Sequence, residues 1–350
     1  MRVLTRKTRL TLTLTAISVA TAAVAGPATA QPERPRISAS GPAHSLAAAR
    51  THAAVKKNAW QHDTLARHSQ RNWYRVTLST RSYLYSLLGN LPADYNLRLY
   101  DDAGKALSTS DHTKANAETI GRTLAPGTYF VRVASTHGAS ARTKYALLVR
   151  TVPVTATIGV LTAHVGNSNT VTGDLVNLSD QWQAVPRMDV KLYDRTGKLL
   201  RRKREADNLI SWIPTAPGAR VPFSLLVDVP YSVLNKTVRV VAVPKWDTMT
   251  TRSRVALTVS DVTRVYHHRN GLTWVDFTAK VHNTSSRRLP LATAVVEARD
   301  NRGVLVGADS LSGPSLPANS TRTYRGTYYN LEPHLHLRVK AFEYTDNTGS

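Results

Sequence analysis

Apolar and polar residues alternate over short runs through most of the chain. Asn72–Leu78, Tyr83–Leu88, Leu97–Leu99, Glu118–Leu124, Tyr129–Val133 and Lys144–Val149 follow one another at short intervals. A period of two marks half-buried strands, whose successive side chains face opposite sides of a sheet. Turn signals separate these runs, among them Leu91-Pro92-Ala93-Asp94 and Ala125-Pro126-Gly127. Further on come Val171–Asn177, Met188–Asp194, Val221–Leu225 and Val238–Val243. Short strands at this spacing predict an all-β chain of tandem antiparallel β-sandwiches.

One phrase recurs. Leu97-Arg98-Leu99-Tyr100-Asp101-Asp102-Ala103-Gly104 returns as Leu192-Tyr193-Asp194-Arg195-Thr196-Gly197, and again as Ala298-Arg299-Asp300-Asn301-Arg302-Gly303. Asp hydrogen-bonds to the backbone ahead of it and Gly accepts positive φ, so each copy reads as a strand, a tight turn and a returning strand. Asn177 and Asn283, Asp194 and Asp300, and Gly197 and Gly303 are each 106 residues apart. A constant offset over three landmarks predicts that the second and third units are duplicates. Arg299 stands where the other copies have Tyr, and the turn around Pro317-Ala318-Asn319 is shorter than its counterpart at Ala216-Pro217-Gly218.

The order Asn72–Leu78, Leu91–Asp101 and Ala125–Val133 resembles the bacterial pre-peptidase C-terminal (PPC) domain over about 69–150. The resemblance implies a jelly-roll-like sandwich that accompanies secreted peptidases or other exported enzymes. It also implies a non-catalytic role, with collagen or polysaccharide as ligands and calcium in some members. Asp94, Asp101 and Asp102 are the candidate calcium ligands, and turn-forming Asp is the competing reading. An Asp often stands in that family where Asn96 stands here. The run Val171–Val227, with its Leu192-Tyr193-Asp194 phrase, resembles the FxLYD family. That resemblance implies small immunoglobulin-like sandwiches, with a second, weaker copy following. The expected division is a signal peptide at 1–30, a flexible basic leader at 31–68, and sandwiches at 69–150, 151–260 and 261–350.

The N-terminus shapes that division. Arg2, Arg6, Lys7 and Arg9 precede the apolar run Leu10–Val24, and Ala28-Thr29-Ala30 is a small-residue cleavage motif. This pattern predicts export, with a mature chain starting at Gln31 and a secreted or wall-associated location. No later run approaches the length of a membrane span, so none is expected in the mature chain. Ala47–Lys57 holds good helix formers without a continuous apolar face, which predicts a mobile leader. His44, His52, His62 and His68 in this region read as solvated side chains.

Composition then narrows the chemistry. The chain has 350 residues, a net charge of +23 and no cysteine. The signal segment carries four basic and no acidic residues, which leaves +19 on the remainder. The surplus is present throughout, at +5 over 31–72, +5 over 73–150, +6 over 151–260 and +3 over 261–350. A basic surface favours polyanionic partners, although it is equally a solubility trait. Without cysteine there are neither disulfides nor thiolate nucleophiles. The sequence also lacks Gly-x-Ser-x-Gly, His-Glu-x-x-His and phosphate-binding Gly-rich loops. No enzyme and no cofactor are expected, calcium being the single candidate.

The sharpest cluster is Lys198, Arg201, Arg202, Lys203 and Arg204, on the strand returning from the second hairpin. It reads as an anion-binding edge, or as an edge strand charged to block aggregation. If the recurring hairpin carries function, this variable returning strand is where to look. Trp182, Trp212, Trp246 and Tyr328-Tyr329 are candidates for stacking on sugars, against the commoner role of aromatic core. His267, His268, His334 and His336 offer imidazoles for a metal, against ordinary surface histidines. The expected function is adhesion to an extracellular polysaccharide or anionic wall polymer, with no specific nucleic acid. The alternative is an accessory module for a separate secreted hydrolase.

Overall fold

The alternating runs close into eight antiparallel strands in the first sandwich. They are β1 (Ala59–Leu65), β2 (Arg71–Leu78), β3 (Ser82–Gly89), β4 (Asp94–Asp101), β5 (Ala106–Ser110), β6 (Glu118–Leu124), β7 (Gly127–His137) and β8 (Ser140–Pro153). The computed structural model describes residues 42–166, 169–210, 213–248, 257–269, 272–329 and 335–344. One sheet has the order β1-β8-β3-β6 and the other β2-β7-β4-β5. This interleaving of two four-stranded sheets is a jelly roll. Leu84, Leu88, Tyr95, Leu97, Leu99, Val131, Val133 and Leu147 fill the space between them.

The expected leader is corrected here. Part of it belongs to the fold. Ser45 caps the helix α1 (Leu46–Thr51), its side chain accepting from the Ala48 N–H. Ala43 and Ala49 are buried in a cluster with Tyr100 and Phe130. Strand β1 pairs with β8 from Ala59↔Val149 to Asp63↔Tyr145, and Leu65 is fully buried. The sequence hid β1 because it is an edge strand with a single fully buried residue, so its alternation is faint. The expected signal peptide and cleavage site lie outside the described residues.

The second sandwich contains β9 (Ile158–Val160), β10 (His164–Val165), β11 (Thr170–Asn177), β12 (Gln183–Tyr193), β13 (Leu199–Asp207), β14 (Arg220–Leu226) and β15 (Arg239–Thr248). The third contains β16 (Leu257–Arg269), β17 (Leu272–Asn283), β18 (Leu291–Arg299), β19 (Leu305–Gly313), β20 (Ser320–Tyr329) and β21 (His336–Tyr344). Sheets β10-β11-β14 and β13-β12-β15 in one match β16-β17-β20 and β19-β18-β21 in the other. The duplication extends to single hydrogen bonds. Asn177 Oδ1 accepts from the Ser179 N–H and hydroxyl at 3.0 and 2.7 Å, and Asn283 Oδ1 accepts from Ser285 at 3.1 and 2.7 Å. Each Asn amide reaches back to carbonyls across the sandwich, Thr215 in one and Leu316 and Pro317 in the other.

The recurring hairpins form as their residues dictate. Gly104, Gly197 and Gly303 have φ of +87°, +85° and +78°. Each donates its N–H to the carbonyl of the Asp three residues earlier, at 3.1, 3.1 and 2.8 Å. Each Asp side chain also accepts from the backbone four residues ahead, at 2.8 to 3.0 Å.

The three sandwiches are not beads on a string. Strands β3 and β11 are buried along their whole length, and β18 at every residue after Leu291. A two-sided burial pattern requires a second layer on the outer face. In β3, Leu84 and Leu88 face the home core while Tyr83, Tyr85 and Leu87 pack with Val176 and Val304. In β18, Ala292 and Ala294 face the home core while Val295 joins the core of the second sandwich. Each sandwich therefore contributes one doubly buried strand to a shared junction.

The third hairpin is wedged into that junction. Arg299 donates to both oxygens of Asp174 on β11, at 2.7 and 3.0 Å, to Glu297 at 2.8 Å and to the Gly303 carbonyl at 3.0 Å. Burial alone favours the neutral form of Asp174, but the Arg299 guanidinium overrides this and holds the carboxyl below the usual carboxylate range. The Thr172 hydroxyl donates to the Leu305 carbonyl, and the Asn90 N–H to the Asn301 carbonyl. Arg302 lies over the Trp60 ring, 5.4 Å from its centroid.

Candidate functional site

The cationic run Lys198–Arg204 emerges from the second hairpin onto β13, which pairs with β12 on one side and forms the edge of its sheet. Val190 and Leu192 point into the core, so Asp189, Lys191 and Tyr193 point outward. Register places Arg202 beside Lys191 on this outer face, with Val241 on the other side. Arg239 lies beside Tyr193 with its guanidinium 4.1 Å from the ring centroid. Arg187 and Lys245 continue the face toward the other end of the sheet.

The acidic residues of this face are engaged. Arg187 and Lys245 approach Glu205 at 3.7 and 2.5 Å, and Arg187 also lies 3.8 Å from Asp207. The Glu205 backbone N–H donates to Asp189, and Arg202 stands 3.8 Å from it. That N–H and the cations around it hold the Asp189 carboxyl below its ordinary range. Glu205 itself has φ +50°, at the bulge where β13 slips against β12. Lys191, Lys198, Arg201 and Arg204 have no carboxylate within ion-pair reach among the described residues. Lys198, Arg201 and Arg204 are exposed, and Lys203 is half-buried. The arrangement is a cationic edge strand: Arg202 shares the outer face with Lys191, while Arg201 and Lys203, the register partners of Leu192 and Val190, project from the other side of the strand. It can attract and hold an extended polyanion, and its charge also discourages strand addition.

The other candidates fall in separate places. Asp101 spends its carboxylate on the Lys105 N–H, and Asp94 faces His137 at 3.5 Å. Among the described residues no three His, Asp or Glu side chains gather as metal ligands. Trp182 is half-buried in a groove of about 230 Å³ with Pro214, Leu257 and Phe342. Trp246 is exposed on β15, and Tyr328 is buried while its neighbour Tyr329 is 68% exposed. Trp212 and His334 lie outside the described residues. His336 contacts Asn301, and His267 faces Asp276 at 2.9 Å on another sheet.

One feature was missed in the sequence. Val275, Phe277, Ala279 and Val281 on β17 point inward, so Trp274, Asp276, Thr278, Lys280 and His282 form an outer row. Trp274 stacks on His267 at 5.0 Å with the rings 10° apart, and Tyr329 is its register partner on β20. Thr327 donates to Asp276 at 2.6 Å. The alternation of Trp274 against Val275 and Phe277 was the signal available in the sequence.

The fold and site define a protein of tandem β-sandwiches with open sheet faces. No protein-family model matches the chain, and no curated protein matches it. Among solved structures it is similar to the pre-peptidase C-terminal domain of a collagenase from Bacillus anthracis. That alignment has 15% identity and a TM-score of 0.24, and covers 27% of this chain and 90% of that one. A Bacteroides uniformis β-glucuronidase aligns at 12% identity and a TM-score of 0.23, over 75% of this chain. The exo-chitosanase CsxA of Amycolatopsis orientalis aligns at 10% identity and a TM-score of 0.19, over 79% of this chain. The chain spans 28% and 21% of the length of those two enzymes. Similarity at this level assigns no substrate or partner to this chain.

Proposed function

We propose that this is an exported, non-catalytic protein that adheres to an anionic extracellular or wall polymer. The observation carrying the reading is the open cationic edge of the second sandwich, where Lys198 just before β13, Arg201 and Arg204 on it and Lys191 on its neighbour β12 are free of acidic partners among the described residues. The export signal read at 1–30 supports the location. The PPC-like phrases of the first sandwich and the FxLYD-like phrases of the second support an accessory role outside the cell. No helix among the described residues is long and apolar enough to cross a membrane.

A second reading rests on the Trp274–Tyr329 row, where an indole, a phenol and threonine hydroxyls share one face. Such a surface suits stacking on neutral sugar rings, with hydroxyls as hydrogen-bond partners.

Co-sedimentation with purified cell wall, polyphosphate, chitin and collagen at rising salt tests both. The first reading expects binding to the anionic polymers that falls off as salt screens it. Salt-resistant binding to chitin that is lost in Trp274→Ala favours the second. Binding to none of the polymers, with co-purification of one secreted hydrolase, overturns both in favour of an accessory subunit.

A further inference from the structure

Two contiguous cavities of about 290 and 340 Å³ open where the three sandwiches meet, sharing Ala117, Arg299, Gly303 and Arg338. Each is near the lower size of a small-molecule site, about 300 Å³. The first sandwich supplies Tyr85 and Thr119, the second Arg220, and the third Arg338 and Lys340. The adjoining cavity adds Arg264, Asn116, Asn301 and His336.

The charge balance of this cleft is one-sided. Its buried carboxylates, Asp174 and Glu297, are both engaged by Arg299, and Lys340 also reaches Glu297 at 2.7 Å. Asp300 is taken by its neighbour Arg302 at 2.7 Å. Arg264 donates to the Leu337 carbonyl. Arg220 makes one long contact to the Thr119 hydroxyl, at 3.4 Å, and lies 5.3 Å from the Tyr85 ring centroid. Arg338 has neither a hydrogen bond nor an ion pair among the described residues. Three guanidinium groups from two sandwiches thus surround the cleft with no acidic partner of their own. Unlike the cations on β13, these line a concave site, so their charges act on one enclosed volume.

The geometry points to a binding site for a phosphate-class oxyanion, held chiefly by Arg338 and Arg220 with Lys340 and Arg264 at its rim. Guanidinium forks match the oxygens of phosphate in paired hydrogen bonds, and several convergent cations favour a multiply charged group. Since the ligand would be held by side chains of the second and third sandwiches in a cleft walled by the first, it would bind the folded junction and stabilise it. The site is independent of the polymer-binding cations on β13.

Thermal unfolding of the full chain against inorganic phosphate, at constant ionic strength set with chloride, is the test. The wild type is expected to melt higher in a saturable, phosphate-dependent way. Arg338→Ala should weaken the response about tenfold. Its side chain has no partner to lose, so folding without phosphate should be unchanged. Lys198→Glu, at the β13 edge, should respond as the wild type does. Polyphosphate that competes with phosphate at the cleft would identify a polymer end as a source, and a response confined to inorganic phosphate would identify the free ion. The site is overturned if phosphate gives no shift beyond chloride, if acetate is equally effective, or if Arg338→Ala responds like the wild type.

Discussion

The second and third hairpins share a turn but not a fate. Both have the Asp-x-x-Gly turn, a left-handed glycine and the same backbone hydrogen bonds. Around Gly197 an added Cβ would meet nothing within 4 Å. Around Gly303 it would lie 2.7 Å from the Ala117 Cβ and 3.0 Å from a Leu87 methyl. The residue before the Asp differs in the same sense. Tyr193 lies under Arg239 on an open face, whereas Arg299 is 8% exposed and bolts the third sandwich to the second. The returning strand is Leu-Leu-Arg-Arg-Lys-Arg in one and Val-Leu-Val in the other. One local code for a turn was reused, and the flanking residues decided whether the copy became a surface or a joint.

The largest effect that would break this comparison is at Arg299. Arg299→Ala strips Asp174 of its cation, leaves Glu297 with Lys340 alone, and should cost about 3–5 kcal/mol, measured by denaturant unfolding. Tyr193→Ala at the equivalent position should cost far less. A loss of similar size at both positions would mean that Arg299 is no joint.

The glycines sharpen the same contrast. Gly197→Ala should cost about 1–2 kcal/mol, the strain of a left-handed Ala. Gly303→Ala adds overpacking against Ala117 and Leu87, about 1–3 kcal/mol more. The difference between the two variants isolates the junction from the turn.

Acid should loosen the joint. The carboxyl of Asp174 is depressed in the folded state, so the pair's contribution is present above the unfolded carboxylate value, about 3.9. It is lost as pH falls through the lower folded value. Stability against pH should therefore drop below about pH 4 in the wild type, and less steeply in Asp174→Asn. At the alkaline end Tyr328 is pushed up to about 12 by burial. Its contribution is full below the unfolded value of about 10 and is lost as pH rises toward 12.

Much of the fold was legible. The runs at 72–78, 118–124, 171–177 and 221–225 fall within β2, β6, β11 and β14. The 106-residue offset corresponds to matching sheets and matching Asn-x-Ser hydrogen bonds. Strand β1 was not legible, because an edge strand with one fully buried residue carries almost no alternation. The junction was not legible either. Continuous burial in β3, β11 and β18 arises from contacts between residues more than a hundred positions apart, such as Asp174 and Arg299. The departure from Tyr at position 299 was visible, but its reason lay in another sandwich. For the site, the cationic run was plain and its neighbours Lys191, Tyr193 and Arg239 were not, since register alone brings them to one face.

The division of labour between the two hairpins rests most directly on polymer binding by the variant Lys198→Glu/Arg201→Glu/Arg204→Glu, set beside its melting curve. These side chains are exposed and have no acidic partners among the described residues. Stability should change by no more than about 0.5 kcal/mol per site. Affinity for polyphosphate in co-sedimentation should fall at least about tenfold, since each lost cation near a polyanion carries on the order of 1 kcal/mol. Unchanged affinity with an intact fold would contradict the account and leave the middle hairpin a charged edge and nothing more.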